Sequence, residues 1–154
     1  MSYKIIGIPE NIAQKVRETM KSPQYGHPAF SEIARGYGPC RLCLKIFDEG
    51  NEERILFTYN AFEGLSSLPL PSPIFVHKDK CERFEAGEFP KDLRNLPIAL
   101  EGFGKESWLI LREKVDERNI ETQIKQIFES VNVEYIHLRN TEAGCFIARV
   151  ERGD

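Results

Sequence analysis

The sequence contains no apolar run that approaches the roughly 20 residues of a membrane-spanning helix. The apolar residues near its start are interrupted by Gly7 and followed by Pro9, which leaves no stretch of the kind found in secretory signals. Cysteine is also scarce, with 4 residues in a chain of 154. We therefore expect a cytoplasmic protein with no membrane partner, whose cysteines are free thiols or metal ligands because structural disulfides are rare in that compartment.

Neither sign of charge is in large excess, because 21 lysines and arginines stand against 24 aspartates and glutamates, a formal net charge of −3. The densest group of cations, between residues 78 and 83, is interleaved with Asp79 and Glu82. A nucleic-acid surface requires summed positive potential, so we expect no nucleic-acid partner. A composition of 41% apolar and 29% charged residues is typical of one globular domain, which we assign to residues 1–154.

The familiar sequence motifs of catalysis are missing as well. The chain has no serine-centred elbow, no glycine-rich phosphate loop, no His-Glu-x-x-His and no motif of paired carboxylates. The sequence consequently identifies neither a substrate nor a reaction.

Hydrophobic periodicity predicts an α+β fold. Apolar residues at helical spacing predict helices over Glu10–Met20 and Asp116–Asn132, a short helix after Pro28 and one helical turn near Asp92. We expect a largely antiparallel sheet built from hairpins, with two or three helices packed on it. Eight strands are predicted, the second and third of which should pair as a hairpin: Tyr3–Ile8, Leu42–Phe47, Ile55–Tyr59, Ile74–His77, Ile98–Phe103, Ser107–Glu113, Val133–Arg139 and Gly144–Glu151.

Prolines at alternate positions favour extended backbone in the segment Ser66–Pro73. We interpret this segment as a rigid connector. The alternative is a surface that recruits another protein, which predicts an exposed apolar patch around Leu68 and Leu70.

Two closely spaced pairs of residues suggest a zinc site. Cys40 and Cys43 form a Cys-x-x-Cys motif, and His77 and Cys81 form a His-x-x-x-Cys motif thirty-four residues later. Three thiolates and one imidazole are a tetrahedral ligand set that zinc favours, and sites with four protein ligands are structural rather than catalytic.

Zinc binding sets a condition on the backbone. Residues three apart on an extended strand face opposite sides of a sheet, so Cys40 and Cys43 can share one ion only if the chain turns tightly there and becomes regular near Leu44. His77 must also end near Cys40. The alternative is that Cys43 lies on a half-polar strand face while His77 is simply a polar residue at a strand end.

The last predicted hairpin pairs Leu138 with Cys145, which separates two faces. One face is mostly apolar, so Cys145 is expected to be a small buried residue, and it comprises Glu134, Ile136, Leu138, Cys145, Ile147 and Arg149. The other mixes polar and aromatic residues as ligand pockets do, and it comprises Tyr135, His137, Arg139, Phe146 and Ala148. This second face could equally be the outer surface of the sheet.

His137 and Cys145 point to opposite faces in this register, so we do not expect them to act as base and nucleophile. Cys40 and His137, brought together by the fold, stay open as a thiol and histidine pair. Such a site would bind an anionic ligand through Arg41 or Arg139.

Five segments together carry a family resemblance: Gly36–Arg41, Ile74–Val76, Tyr135–Asn140, Gly144–Phe146 and Arg149–Arg152. In this order they resemble a family of bacterial proteins of about this length, the domain-of-unknown-function family number twelve hundred and three. The most specific part is the His-x-x-Asn-x-x-x-Gly-Cys segment that begins at His137. The resemblance covers nearly the whole chain and implies a shared fold, without an established activity.

The resemblance also bears on the site residues. A common site is implied by the residues that match the family pattern: Cys40, Arg41, Tyr59, His137, Asn140 and Cys145. Alternatively, Asn140 and Gly144 serve only the turn of the last hairpin. The family often has a hydroxyl residue in place of Cys43 and no fixed histidine in place of His77, which implies that a full zinc set belongs to a subgroup.

Two functions are compatible with these residues. The first is a non-catalytic binding or structural domain, stabilised by zinc at the cysteine and histidine set. The second is a small enzyme or small-molecule binder that holds an anionic ligand, with a ligand site formed by Cys40, Arg41, Tyr59, His137, Arg139 and Asn140.

Overall fold

A computed structural model of the protein describes residues 2–36, 38–62 and 71–153. These residues form two α-helices, α1 (Glu10–Thr19) and α2 (Ile120–Phe128), neither long and apolar enough to cross a membrane. They also form nine strands: β1 (Tyr3–Ile6), β2 (Phe30–Ile33), β3 (Glu53–Tyr59), β4 (Ser72–His77), β5 (Glu85–Ala86), β6 (Ile98–Phe103), β7 (Leu109–Lys114), β8 (Tyr135–Asn140) and β9 (Phe146–Arg152). Most of the predicted proline-rich connector, with Leu68 and Leu70, lies outside the described residues.

Six strands form one antiparallel sheet in the order β5-β1-β9-β8-β6-β7. Alternate side chains of β8, Ile136 and Leu138, are buried in the core on one side of this sheet. Helix α2 contributes apolar residues at intervals of three and four to the same core, which places them on one face: Ile120, Ile124, Ile127 and Phe128. The predicted periodicity of this helix is confirmed.

The other three strands form a smaller antiparallel sheet in the order β2-β3-β4. This sheet shares a second core with α1, which contributes Ile12, Ala13 and Val16. Cys40 and Cys43 are buried in the same core. Two helices on largely antiparallel strands confirm the α+β class, although the strands divide between two sheets.

Two predicted elements are wrong. Phe30–Ile33 is not a helix but strand β2, which pairs with β3. The segment from residue 42 to residue 47 is not a strand: residues 41 to 43 form a turn, and Leu44 has a left-handed φ of 60°. Backbone groups that a hairpin with β3 would have used are satisfied locally, because the Cys40 amide donates to Lys45 O (2.9 Å) and the Leu44 amide to Cys40 O (2.8 Å).

The last hairpin is confirmed, but its predicted register is wrong. Leu138 pairs with Ala148 and not with Cys145, and an irregularity follows between Leu138 and Arg139. Cys145 therefore lies before β9 and is only partly buried. Because the register differs, Arg149 pairs with His137. This pairing puts a cation on the face that the sequence predicted to be polar and aromatic.

Gly7, where β1 ends, lies at the contact between the six-stranded sheet and the turn at residues 41 to 43. A Cβ atom at Gly7 would lie 2.2 Å from Leu42 O and 2.7 Å from Arg41 O. The next residue is held at the same place, since the Ile8 amide donates to Arg41 O (2.9 Å). Only a glycine allows the end of β1 to approach the turn at residues 41 to 43 this closely.

We expect Gly7→Ala to destabilise the protein by about 1–3 kcal/mol, because both neighbouring atoms are backbone oxygens that cannot rotate away. Urea unfolding of the two proteins measures the difference as a lower midpoint at an unchanged slope. An unchanged midpoint would show that the turn yields to a methyl group, and the close approach would then not constrain the fold.

Candidate metal centre

The turn at residues 40 to 43 brings the two thiols of the Cys-x-x-Cys motif to one side. The condition on the backbone is met in part, since the chain turns between Cys40 and Cys43 but no strand begins near Leu44, whose φ is left-handed. The turn lies beside β4, where the Arg41 amide donates to Phe75 O (3.0 Å). This contact brings Cys40 to the end of β4.

The second pair of predicted ligands arrives with the end of β4. His77 is its last residue, and its amide donates to Cys40 Sγ (3.3 Å). His77 Nδ1 lies 3.4 Å from Cys43 Sγ, and Cys81 Sγ lies 3.8 Å from Cys40 Sγ. All four ligand atoms lie within 4.8 Å of one another, so the Cys40, Cys43, His77 and Cys81 cluster could hold a metal ion and is compatible with zinc.

Proton sharing within this Cys3His cluster favours a bound cation. Burial alone would raise the pKa of Cys40, but hydrogen bonds with Cys43, Cys81 and His77 lower it well below its usual value. Contacts with Cys40 and Cys81, and burial, raise the pKa of Cys43. Hydrogen bonding to Cys40 and then Cys81 raises the pKa of His77 to about 10. These hydrogen bonds favour negative charge on Cys40, and a metal ion would take the place of the protons that the cluster shares.

Glu52 lies next to the cluster, beside the imidazole of His77. Its Oε2 is 3.0 Å from His77 Nε2, as an ion pair rather than a well-aligned hydrogen bond. The Asp48 amide, and then His77, lower the pKa of the Glu52 carboxyl, which keeps it charged. A carboxylate at Nε2 favours a proton there and leaves Nδ1, on the Cys43 side, available to a metal.

Two further features serve the cluster. Arg17 at the end of α1 donates from Nε to His77 O (3.0 Å) and from Nη2 to Cys81 Sγ (3.4 Å). An open cavity of about 420 Å³ is lined by Cys43, His77 and Cys81, which gives an ion a path from solvent. Sequence reasoning missed Glu52 and Arg17, because their role depends on tertiary contacts that no spacing along the chain reveals.

Several of the residues predicted to bind an anionic ligand contact or pair with Phe146, namely Arg41, Tyr59, His137 and Arg139. Arg41 is buried and donates to Phe146 O (2.8 Å) and Pro39 O (2.7 Å). Arg139 donates to Glu101 Oε1 (2.7 Å) and Gly144 O (2.7 Å). Both guanidinium groups thus have internal partners. That these residues bind a ligand stays a prediction.

The remaining candidates also differ in their surroundings. Asn140 Oδ1 accepts from the Glu142 and Ala143 amides (both 2.8 Å), as expected of a residue that serves the turn. Tyr59 is buried against Phe146. Cys40 is part of the metal cluster, so the structure does not pair it with His137.

His137 is fully buried within a cage of aromatic rings. Its ring centroid lies 4.8 to 5.1 Å from those of Phe62, Phe103, Tyr135 and Phe146. Among the described residues, neither ring nitrogen has a hydrogen-bond partner. Burial, then the charges of Arg149 and Arg139, lower the pKa of His137 to about 3, so it is neutral at pH 7.

The fold and the site together define the class of this protein. It is an α+β domain with two antiparallel sheets and a buried Cys3His cluster between a turn and the end of a strand. The chain belongs to the family of proteins of unknown function DUF1203, whose match covers residues 37–152 and so includes the whole cluster. This confirms the resemblance found in the sequence. No curated protein and no solved structure matches the chain.

We expect His137→Phe to reduce the acid sensitivity of the fold. The unfolded chain binds a proton at this histidine near pH 6.5 and the folded protein only near pH 3, so stability falls as pH drops through that window. Below about pH 6 the loss is roughly 1.4 kcal/mol per pH unit, or about 2 kcal/mol at pH 5. Urea unfolding from pH 7 to pH 4.5 should therefore show a shallower decline for His137→Phe than for the wild type.

His27→Phe is the matched control, because His27 is exposed. It should keep the pH dependence of the wild type. The titration of His77 contributes equally to the pH dependence of stability in all three proteins, so it cancels in the comparison. Equal declines for wild type and His137→Phe would show that His137 binds a proton at the same pH in the folded protein as in the unfolded chain. That result would contradict the lowered pKa of this buried histidine.

Proposed function

We propose that this protein is a non-catalytic binding or structural domain whose fold is stabilised by one zinc ion bound to Cys40, Cys43, His77 and Cys81. The observation that carries the proposal is that the four ligand atoms lie within 4.8 Å of one another. Four protein ligands complete a tetrahedral site and leave no position for substrate, as in structural zinc sites. The ligand set supports zinc in particular, because thiolates and imidazole are its preferred donors.

The position of the cluster supports a stabilising role. It connects the turn at residues 40 to 43 with the end of β4, and Arg17 ties α1 to both of its later members. An ion here would therefore hold a helix, a strand and a turn together. Because the ion binds the folded arrangement only, its binding free energy adds to the stability of the fold.

We expect the untagged protein to contain one zinc ion per chain by elemental analysis, with one thiol reactive before chelation and four after it. Cys81→Ser should lose the metal, because it removes one of four donors. At free zinc about 100-fold above Kd, bound metal adds about 2.7 kcal/mol. Its loss should therefore lower Tm by about 5–11 °C.

Cys145→Ser is the matched control, since Cys145 is also partly buried but lies outside the cluster. It should retain one zinc ion and the wild-type Tm, and it should remove the thiol that reacts before chelation. Purified wild-type protein without metal, which also fails to bind added zinc while its four thiols react freely, would refute the proposal.

The role of Glu52 gives a separate test of the same site. We expect Glu52→Gln to weaken zinc binding by about 10–100-fold, as loss of a carboxylate beside a metal-bound histidine commonly does. Competition with a chromophoric chelator measures the affinity. Glu53→Gln is the control, because the neighbouring Glu53 pairs with the exposed Lys78 instead (2.8 Å). Equal affinities for the two variants would show that the Glu52 carboxylate does not orient the imidazole.

A further inference from the structure

A second cavity lies away from the metal cluster, where β1 leads into α1 and meets the last hairpin. We call it the arginine cleft, and it is lined among others by Pro9, Tyr59, Arg83, Tyr135, Phe146 and Arg149. Its volume of about 390 Å³ is within the range of small-molecule sites. None of the four cluster residues lines it, so this cavity is separate from the candidate metal centre.

The charge of the arginine cleft is positive. Of the described residues that line it, the two arginines are the only charged ones. Arg83 is fixed in place, because its Nε and Nη2 donate to Gly7 O (3.1 and 3.0 Å). The guanidinium carbon of Arg149 lies 4.0 Å from the ring centroid of Tyr135. Two guanidinium groups positioned before any ligand arrives favour an anion, which each can bind through paired N–H donors.

Each of the two arginines also has an acidic neighbour that does not line the cleft. Glu85 Oε1 lies 3.8 Å from Arg83 Nη1, and Glu151 Oε2 lies 3.4 Å from Arg149 Nε, but neither residue lines the cleft. Helix α1 begins beside it after Pro9, without a capping side chain. Since the first turn of α1 carries the carboxylate of Glu10, the helix end only supplements the arginines.

The walls of the arginine cleft are aromatic. Tyr59 and Phe146 pack at 5.9 Å between ring centroids, and Tyr135 stacks on Phe103 at 5.4 Å. Behind this wall lies His137, fully buried, with no hydrogen-bond partner for either ring nitrogen among the described residues. Burying an unsatisfied polar side chain is costly. His137 does not itself line the cleft, so the arginines and the aromatic walls define which ligand fits it.

We propose that the arginine cleft binds a small aromatic carboxylate. Arg83 and Arg149 bind the carboxylate, and the flat ring of the ligand packs against Tyr59, Tyr135 and Phe146. An aromatic ring suits these walls because offset and edge-to-face packing add to the area that it buries. An inorganic anion would use the arginines and leave the aromatic walls in water.

The test is a titration of the metal-containing wild-type protein with sodium benzoate, followed by amide chemical shifts and by calorimetry. Benzoate should bind saturably at millimolar concentration, with shifts at Gly7, Ser107 and Phe146, and more weakly as salt is added. Benzyl alcohol, which keeps the ring without the charge, and inorganic phosphate, which keeps a charge without the ring, should each bind at least about tenfold more weakly.

Arg149 is the residue to substitute, because Arg83 also lines the cavity beside the metal cluster. Arg149→Gln should weaken benzoate binding by about tenfold or more, and Arg149→Lys, which keeps the charge but not the planar fork, by less. Arg112→Gln is the control, since Arg112 is half-exposed on β7 and should leave binding unchanged.

No saturable benzoate binding would overturn this proposal. Equal binding of benzyl alcohol, equal binding of phosphate, or full affinity in Arg149→Gln would overturn it as well. Zinc content and Tm, measured on the same samples, separate this result from the proposed metal site. Benzoate binding without zinc supports the cleft alone, and zinc without benzoate binding supports the metal site alone.

Discussion

The contact between the turn at residues 40 to 43 and the end of β4 is the constraint on which the rest of the structure depends. It places Cys40 against His77 and buries both, together with Cys43. Burying a polar group costs stability unless it has a hydrogen-bond partner. Hydrogen bonds between them raise the pKa of His77 and lower that of Cys40, which favours a shared proton or a cation between these groups. A tetrahedral metal ion satisfies that requirement for all four side chains together.

The same turn connects the two cores. Leu42 O accepts from the Phe84 amide (2.8 Å) and lies against Gly7 at the end of β1, which belongs to the six-stranded sheet. Arg41 donates to Phe146 O (2.8 Å) at the start of β9 in that sheet. The smaller sheet reaches the turn through Phe75 O. A short irregular segment thus carries contacts that regular strand pairing does not provide, so a metal ion bound there would stabilise the connection between the two cores.

Patterns along the chain predicted much of this architecture and the four residues that form the Cys3His cluster, because helix and strand periods and close pairs of cysteine and histidine are local signals. These patterns failed where tertiary contacts determine the backbone conformation or the strand pairing. Residues 42 to 47 alternate like a strand, yet Leu44 takes a left-handed φ to close the turn. Phe30–Ile33 has a helix-like pair of apolar residues, yet it adds an edge strand to β3. The register of the last hairpin differs from the predicted one and is irregular between Leu138 and Arg139, and this different register brings Arg149 opposite His137.

A protein can belong to this family without having all four residues of the Cys3His cluster. The backbone hydrogen bonds that close the turn, from the Cys40 amide to Lys45 O and from the Leu44 amide to Cys40 O, involve no sulfur. A relative with another side chain in place of Cys43 can therefore keep the turn without the ion. Arg41 connects this turn to Phe146 in the wall of the arginine cleft. The shape of the cleft then depends on the turn itself, and an ion bound at the cluster would stabilise a geometry that the backbone already forms.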